Sequence, residues 1–232
     1  MLVDFDGTPI ETLRTTFSYP DIDKVFRFLK DGIERIFRAH PSAQARVIGI
    51  GVARPSKLWE WLEVVDAPEA AMHKWQELDL ATAIAQITGL EVFIENAGTS
   101  ACVAEHLLGR GNEFSDFAYI FMGAFIGGGL VLNGTVFSGR TGNAAPFGPL
   151  PVPDGKGGTT ELLNVASLHV LESAALKAGV DPKALRREED DWSEYGGILQ
   201  PWLEQTSAYL ALASAAIISV VEVEAIMIDG AM

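Results

Sequence analysis

Residues 47–53 read Val-Ile-Gly-Ile-Gly-Val-Ala and hold no polar side chain. An apolar run of that length, bounded by polar sequence, suits a strand covered on both faces. The segment before it fits such a strand. From Pro20-Asp21 to about His40, Ile22, Val25, Phe26, Leu29, Ile33, Ile36 and Phe37 recur with helical spacing on one face. A second strand follows at Glu91–Glu95 and a second helix at Thr99–Leu108. Between them Asn96-Ala97-Gly98 reads as a polar turn, with Thr99 or Ser100 as the helix cap.

The rest of the chain continues the alternation. Leu2 to Phe17 reads as a hairpin turning at Asp6-Gly7, with a Thr-rich return strand. A Trp-rich loop (Trp59, Trp61) leads to one helix running through Leu78 to Thr88. Phe117 to Gly139 reads as a long, glycine-interrupted hairpin turning at Asn133-Gly134. Residues 141–158, with four prolines and five glycines, are irregular. Helices are expected at Glu161–Ala178 and from about Tyr195 to Val221, separated by a charge run at Arg186–Asp191, and a last strand at Ala225–Asp229. This order implies an α/β fold on a mixed sheet. Both ends read as unfinished, the chain opening in mid-hairpin and stopping on strand-glycine, so a fragment of something longer is expected.

Composition narrows the function classes. The net charge is −14, and such a chain lacks the cationic surface that phosphate contacts with nucleic acid need. Cys102 is the only cysteine, which rules out an intrachain disulfide and a thiolate zinc cluster; in an apolar helical pattern it reads as a core residue. Asp4 and Asp6 follow Met1-Leu2-Val3 at once, so no signal peptide is expected. The longest apolar stretch, about residues 208–221, reads as too short to span a bilayer, and the chain is expected to be cytoplasmic. His40, His73, His106 and His169 are scattered and form no ligand pattern.

Two stretches invite a ligand. Gly127, Gly128 and Gly129 let a backbone approach a bound group closely or take positive φ; the alternative is a bend with no ligand. Residues 138–152 form a long glycine- and proline-rich loop with no His, Cys or carboxylate, so its side chains cannot hold a metal.

Four segments in order resemble the ROK family of bacterial sugar kinases and sugar-responsive repressors. Gly49-Ile-Gly-Val-Ala-Arg-Pro55 resembles its first glycine-rich sugar loop. Glu95-Asn-Ala-Gly-Thr-Ser-Ala-Cys-Val-Ala-Glu105 resembles its Glu-Asn-Asp-Ala segment. Gly123 to Gly129 resembles its phosphate hairpin, and Gly142-Asn-Ala-Ala-Pro-Phe-Gly148 its Gly-Asn-Ala-Gly-Glu-Ile-Gly stretch. The resemblance implies an actin-like (ribonuclease H-like) ATPase fold of sugar kinases, incomplete at both termini. Residues 1–96 would be part of the N-terminal lobe and 97–232 the incomplete C-terminal lobe.

The departures from the family pattern point away from catalysis. The residue after the sugar-binding Asn is the catalytic Asp of the kinases; here it is Ala97, which cannot act as a base, a loss worth about 10²–10⁴-fold. The Gly-Thr-Gly hairpin tip is Gly123-Ala124-Phe125. Pro149 stands for the zinc-site His, Pro146 for the first sugar-contacting Glu and Leu163 for the second, and the three zinc cysteines are absent. The resemblance thus implies a non-catalytic carbohydrate sensor of the regulator branch, with no zinc and no other cofactor. It implies sugar contacts from Asn96, Gly51, Arg54, Pro55, Gly142 and Asn143, and a phosphate-hairpin remnant at Gly123, Gly127, Gly128 and Gly129. Expected partners are a small carbohydrate effector and a second copy, in a homodimer or larger assembly. Neither a membrane nor direct nucleic-acid contact is expected; DNA would be reached through a helix-turn-helix upstream of Met1. The alternatives are an ATP- and Mg-dependent sugar kinase using Glu95 or Asp154, and a degenerate dimerisation scaffold.

Overall fold

A computed structural model describes residues 1–56, 58–61, 67–182 and 192–230. The charge run at 186–191 lies outside them. The chain divides into two compact units, Met1–Asn96 and Ala97–Met232.

In the first unit, β1 (Leu2–Val3) pairs antiparallel with β2 (Pro9–Glu11). Gly7 takes φ 83° in the turn, as expected of Asp-Gly. The return strand stops at Glu11, well short of Phe17. Helix α1 (Ile22–Ala39) is capped by Asp21, whose carboxylate accepts from Lys24 N–H at 3.0 Å. It is followed by the short α2 (Pro41–Gln44) and by β3 (Ile50–Arg54). The single helix expected up to Thr88 is two, α3 (Glu69–Glu77) and α4 (Leu80–Thr88). Asp79 makes the break by accepting from both Thr82 N–H (3.1 Å) and Thr82 Oγ1–H (2.7 Å). Strand β4 (Val92–Asn96) lies parallel to β3.

Double-sided burial of the 47–53 run is not what forms. β3 and β4 make a two-stranded sheet, and burial alternates along β3. Ile50, Val52, Val92 and Ile94 pack on the core of Met72, Trp75, Leu80 and Ile84, together with Val25, Phe26 and Leu29 of α1. On the other face Phe93 is 59% exposed. Composition reports that both faces of a strand are apolar, not that two layers cover them.

The second unit opens with α5 (Ala97–Leu108). Strand β4 runs into it without the expected turn: Ala97 is already helical, and Thr99 is a buried first-turn residue rather than the cap. Next come β5 (Phe117–Met122), β6 (Ile126–Leu132) and β7 (Thr135–Val136). The long hairpin is therefore a three-strand meander. Asn133-Gly134, with φ 52° and 66°, turns β6 into β7, and the β5–β6 reversal falls at residues 123–125. The irregular region contains a small hairpin, β8 (Pro151–Pro153) with β9 (Thr159–Glu161). Helices α6 (Leu163–Ala166) and α7 (Leu168–Lys177) replace one expected helix, breaking at Ser167.

Helix α8 (Gly196–Val220) and β10 (Ala225–Gly230) complete the unit. β10 lies parallel to β5, giving a mixed sheet in the order β10-β5-β6-β7. At 25 residues, α8 exceeds the apolar stretch read from the sequence and is long and apolar enough to cross a membrane by length and composition. Its Trp202, Ala213 and Ile217 are buried in the unit's own core with Ile120, Leu162 and Leu171.

Candidate functional site

Parallel pairing of β3 and β4 sets Arg54 directly opposite Asn96 at the carboxyl ends of the strands. Ligands of open α/β sheets commonly bind at such ends. Because side chains alternate along a strand, Arg54 continues the row Ile50-Val52, and Asn96 the row Val92-Ile94. Two polar residues thus close the two core-facing rows.

Each is held in place. Asn96 Nδ2 donates to Ser56 Oγ at 2.7 Å. Arg54 Nη1 donates to the carbonyls of Pro55 (3.1 Å) and Ser56 (3.4 Å), and its guanidinium carbon lies 5.9 Å from the centre of the Trp59 ring. Its Nε is buried without an acceptor. Ser56 and Trp59 were not among the expected contacts. Ser56 had no local signal, since its partner is forty residues away. Gly51 lies in mid-strand, opposite Phe93 and on the other face.

The carboxylates named above as alternative bases, Glu95 and Asp154, are both engaged by backbone N–H groups. Glu95 points to the opposite side of β4, and its Oε1 accepts from Asn96 N–H at 2.6 Å. Asp154, in the second unit, fastens the β8–β9 turn. It accepts from Lys156 N–H (2.7 Å) and Gly158 N–H (2.8 Å), and these bonds hold its carboxyl below the usual carboxylate range.

The hairpin tip in the second unit is committed internally. Gly123 N–H donates to Phe125 O at 3.0 Å, and the carbonyls of Gly123 and Ala124 accept from Leu168 and His169 N–H, each at 3.1 Å. These are first-turn donors of α7, the groups with which a helix N-terminus holds an anion. The Phe125 ring lies over His169, with centroids 5.8 Å apart.

Crowding within the unit accounts for two of the three glycines of β6. None has positive φ. A Cβ on Gly128 would overlap the Phe147 ring and the Tyr119 carbonyl, and one on Gly129 would overlap Cys102 of α5; at Gly127 the nearest atom, Gly98 Cα, is 3.5 Å away. Cys102 is fully buried, and burial pushes its thiol up to about 12, so it is a packing residue and no nucleophile.

Gly142 takes φ 72° with open space around its Cα. Asn143 lines a cavity of about 530 Å³ with Phe137, Arg140, Phe147 and Ile217. Among the described residues no cluster of three or more His, Cys, Asp or Glu could hold a metal.

Comparison with known proteins supplies the context. A family model described as "ROK family" matches residues 11–166. A xylose repressor of Caldicellulosiruptor bescii is 30% identical over 129 residues, 55% of this chain and 32% of that protein. The chain spans between 32% and 48% of the length of the xylose repressors it matches. Among solved structures, a ROK family transcriptional regulator, homologue of the E. coli MLC protein, aligns with TM-score 0.63 at 26% identity, covering 92% of this chain and 57% of that one. A ROK hexokinase from Thermus thermophilus aligns with TM-score 0.61 at 24% identity, over 97% and 72%. The fold is the actin-like one of this group.

Proposed function

The chain belongs to the ROK family, and from that premise we propose that it is a non-catalytic carbohydrate-sensing domain, the effector-binding part of a bacterial transcriptional regulator. One observation carries the reading. The strand end keeps Asn96, positioned by Ser56, but opens the next helix with Ala97, and the adjacent Glu95 carboxylate is spent on the Asn96 N–H. Such a site can hydrogen-bond a sugar hydroxyl and cannot take its proton. The repressor and regulator relatives support the same reading.

On this reading Asn96 is the main sugar contact and no ATP, magnesium or zinc takes part. The domain acts in the cytoplasm as a homodimer, and DNA contact belongs to a helix-turn-helix outside these residues. The sugar then shifts operator affinity in the full regulator through a coupling of about 1–3 kcal/mol. A coupled ADP-release assay over common hexoses tests the non-catalytic half. Background rates are expected, from the parent and from Ala97→Asp alike, because the hairpin tip stays tied to α7. Turnover of about 1 s⁻¹ or more would show a kinase.

A further inference from the structure

Arg54 brings a full positive charge to the strand end, which the hydroxyls of a neutral sugar do not neutralise. The guanidinium sits half-buried at the end of β3, opposite Asn96. Both of its hydrogen-bond acceptors are neutral carbonyls, and a third donor, Nε, is buried with none. Among the described residues Arg54 makes no ion pair, in a chain with 31 acidic residues. A cation drawn partly out of water without a counter-charge is unfavourable. This one is nevertheless fixed by two carbonyls and the face of Trp59, and so is oriented before any ligand arrives.

We propose that the carbohydrate recognised at the end of β3 and β4 carries an anionic group, a carboxylate or a phosphate, that pairs with Arg54. This rests on the sugar-sensing reading above. The guanidinium charge, with the N–H groups not spent on the Pro55 and Ser56 carbonyls, matches either anion, and Asn96, oriented by Ser56, reads a neighbouring hydroxyl. The net charge of −14 repels anions at long range, so a preference for the acidic sugar has to come from this short-range contact.

Isothermal titration of the 232-residue chain with matched sets tests the proposal: glucose, glucuronate and glucose 6-phosphate; galactose and galacturonate. In at least one set the acidic member is expected to bind about tenfold more tightly than the neutral one. The glucuronate and glucose 6-phosphate arms separate carboxylate from phosphate. Arg54→Gln is expected to abolish the preference, read as the ratio of acidic to neutral affinity within each set. Arg54→Lys keeps the charge without the planar, pre-oriented guanidinium and should keep only part of the preference. Circular dichroism checks that each variant folds; if Arg54→Gln does not, Arg54→Lys carries the comparison. Neutral sugars binding as well as every acidic partner would overturn the anion assignment and leave the sensor reading standing. A preference surviving in the folded variants would also overturn it. Failure of every sugar to bind would overturn both.

Discussion

Replacing the β6 glycines one at a time separates packing from ligand contact. Gly128→Ala drives a methyl into the Tyr119 carbonyl, which is backbone and cannot swing aside, and into Phe147. Gly129→Ala drives one into Cys102, which is fully buried on α5. Overpacking of this kind costs about 1–3 kcal/mol, with Gly128→Ala expected at or beyond the upper end because its obstacle is main chain. Gly127→Ala meets only Gly98 Cα at 3.5 Å, an ordinary contact, and should stay within about 0.5 kcal/mol of the parent. Cys102→Gly would remove the atoms that block Gly129→Ala. The double variant should therefore be more stable than the sum of its parts, by a coupling in the range of about 0.5–3 kcal/mol. Urea unfolding read by hydrogen exchange of the β5 and β6 amides isolates the second unit. If all three alanine variants are as stable as the parent, or Gly127→Ala is as damaging as the others, crowding is not what the glycines answer.

Two further outcomes follow from the site and its surroundings. Asn96→Ala should weaken any cognate sugar by about 1–3 kcal/mol while Ala97→Gly changes it little, and Ser56→Ala should lower affinity in the same direction by releasing the carboxamide; unchanged titration isotherms for Asn96→Ala would place the sugar elsewhere. Because the Lys156 and Gly158 N–H groups lower the Asp154 carboxyl in the folded state, its contribution is full above the unfolded value of about 3.9 and fades as pH falls through the folded one. The melting-temperature gap between parent and Asp154→Ala should therefore narrow below about pH 4, and a gap that widens in acid would contradict the sign.

Sequence reading reached what is set locally. Asp21 as a helix cap and Asn133-Gly134 as a tight turn follow from the chemistry of two to four residues. So does the break at Asp79, whose Asp-x-x-Thr signal was there to be read inside an apparently continuous helix. What escaped depends on distant partners. The open face at Phe93 could not be seen because apolarity does not say what covers a strand. The reason for Gly128 and Gly129 lies in Phe147, Tyr119 and Cys102, which no spacing rule links to them. The place of Asn96 was legible from its neighbours, but its hold on Ser56 was not.

On the proposed reading, the two units carry different remnants of a kinase-like site. In the first, the polar residues at the strand ends are kept and oriented. In the second, the hairpin tip that resembles a phosphate loop spends its polar groups on its own helix. For phosphate to reach the first-turn donors of α7, the bonds from Leu168 and His169 to the tip carbonyls must break, each worth about 0.5–1.5 kcal/mol net. The Phe125–His169 ring contact adds roughly 0.5–1.5 kcal/mol. Together these come to about 1.5–4.5 kcal/mol, a penalty of roughly 10- to 2,000-fold on phosphate affinity before any new contact forms. Restoring a carboxylate at Ala97 supplies a base and does nothing to this closure. On that reading, loss of the base and closure of the tip are independent obstacles to phosphoryl transfer, and neither involves Arg54 or Asn96 at the strand ends.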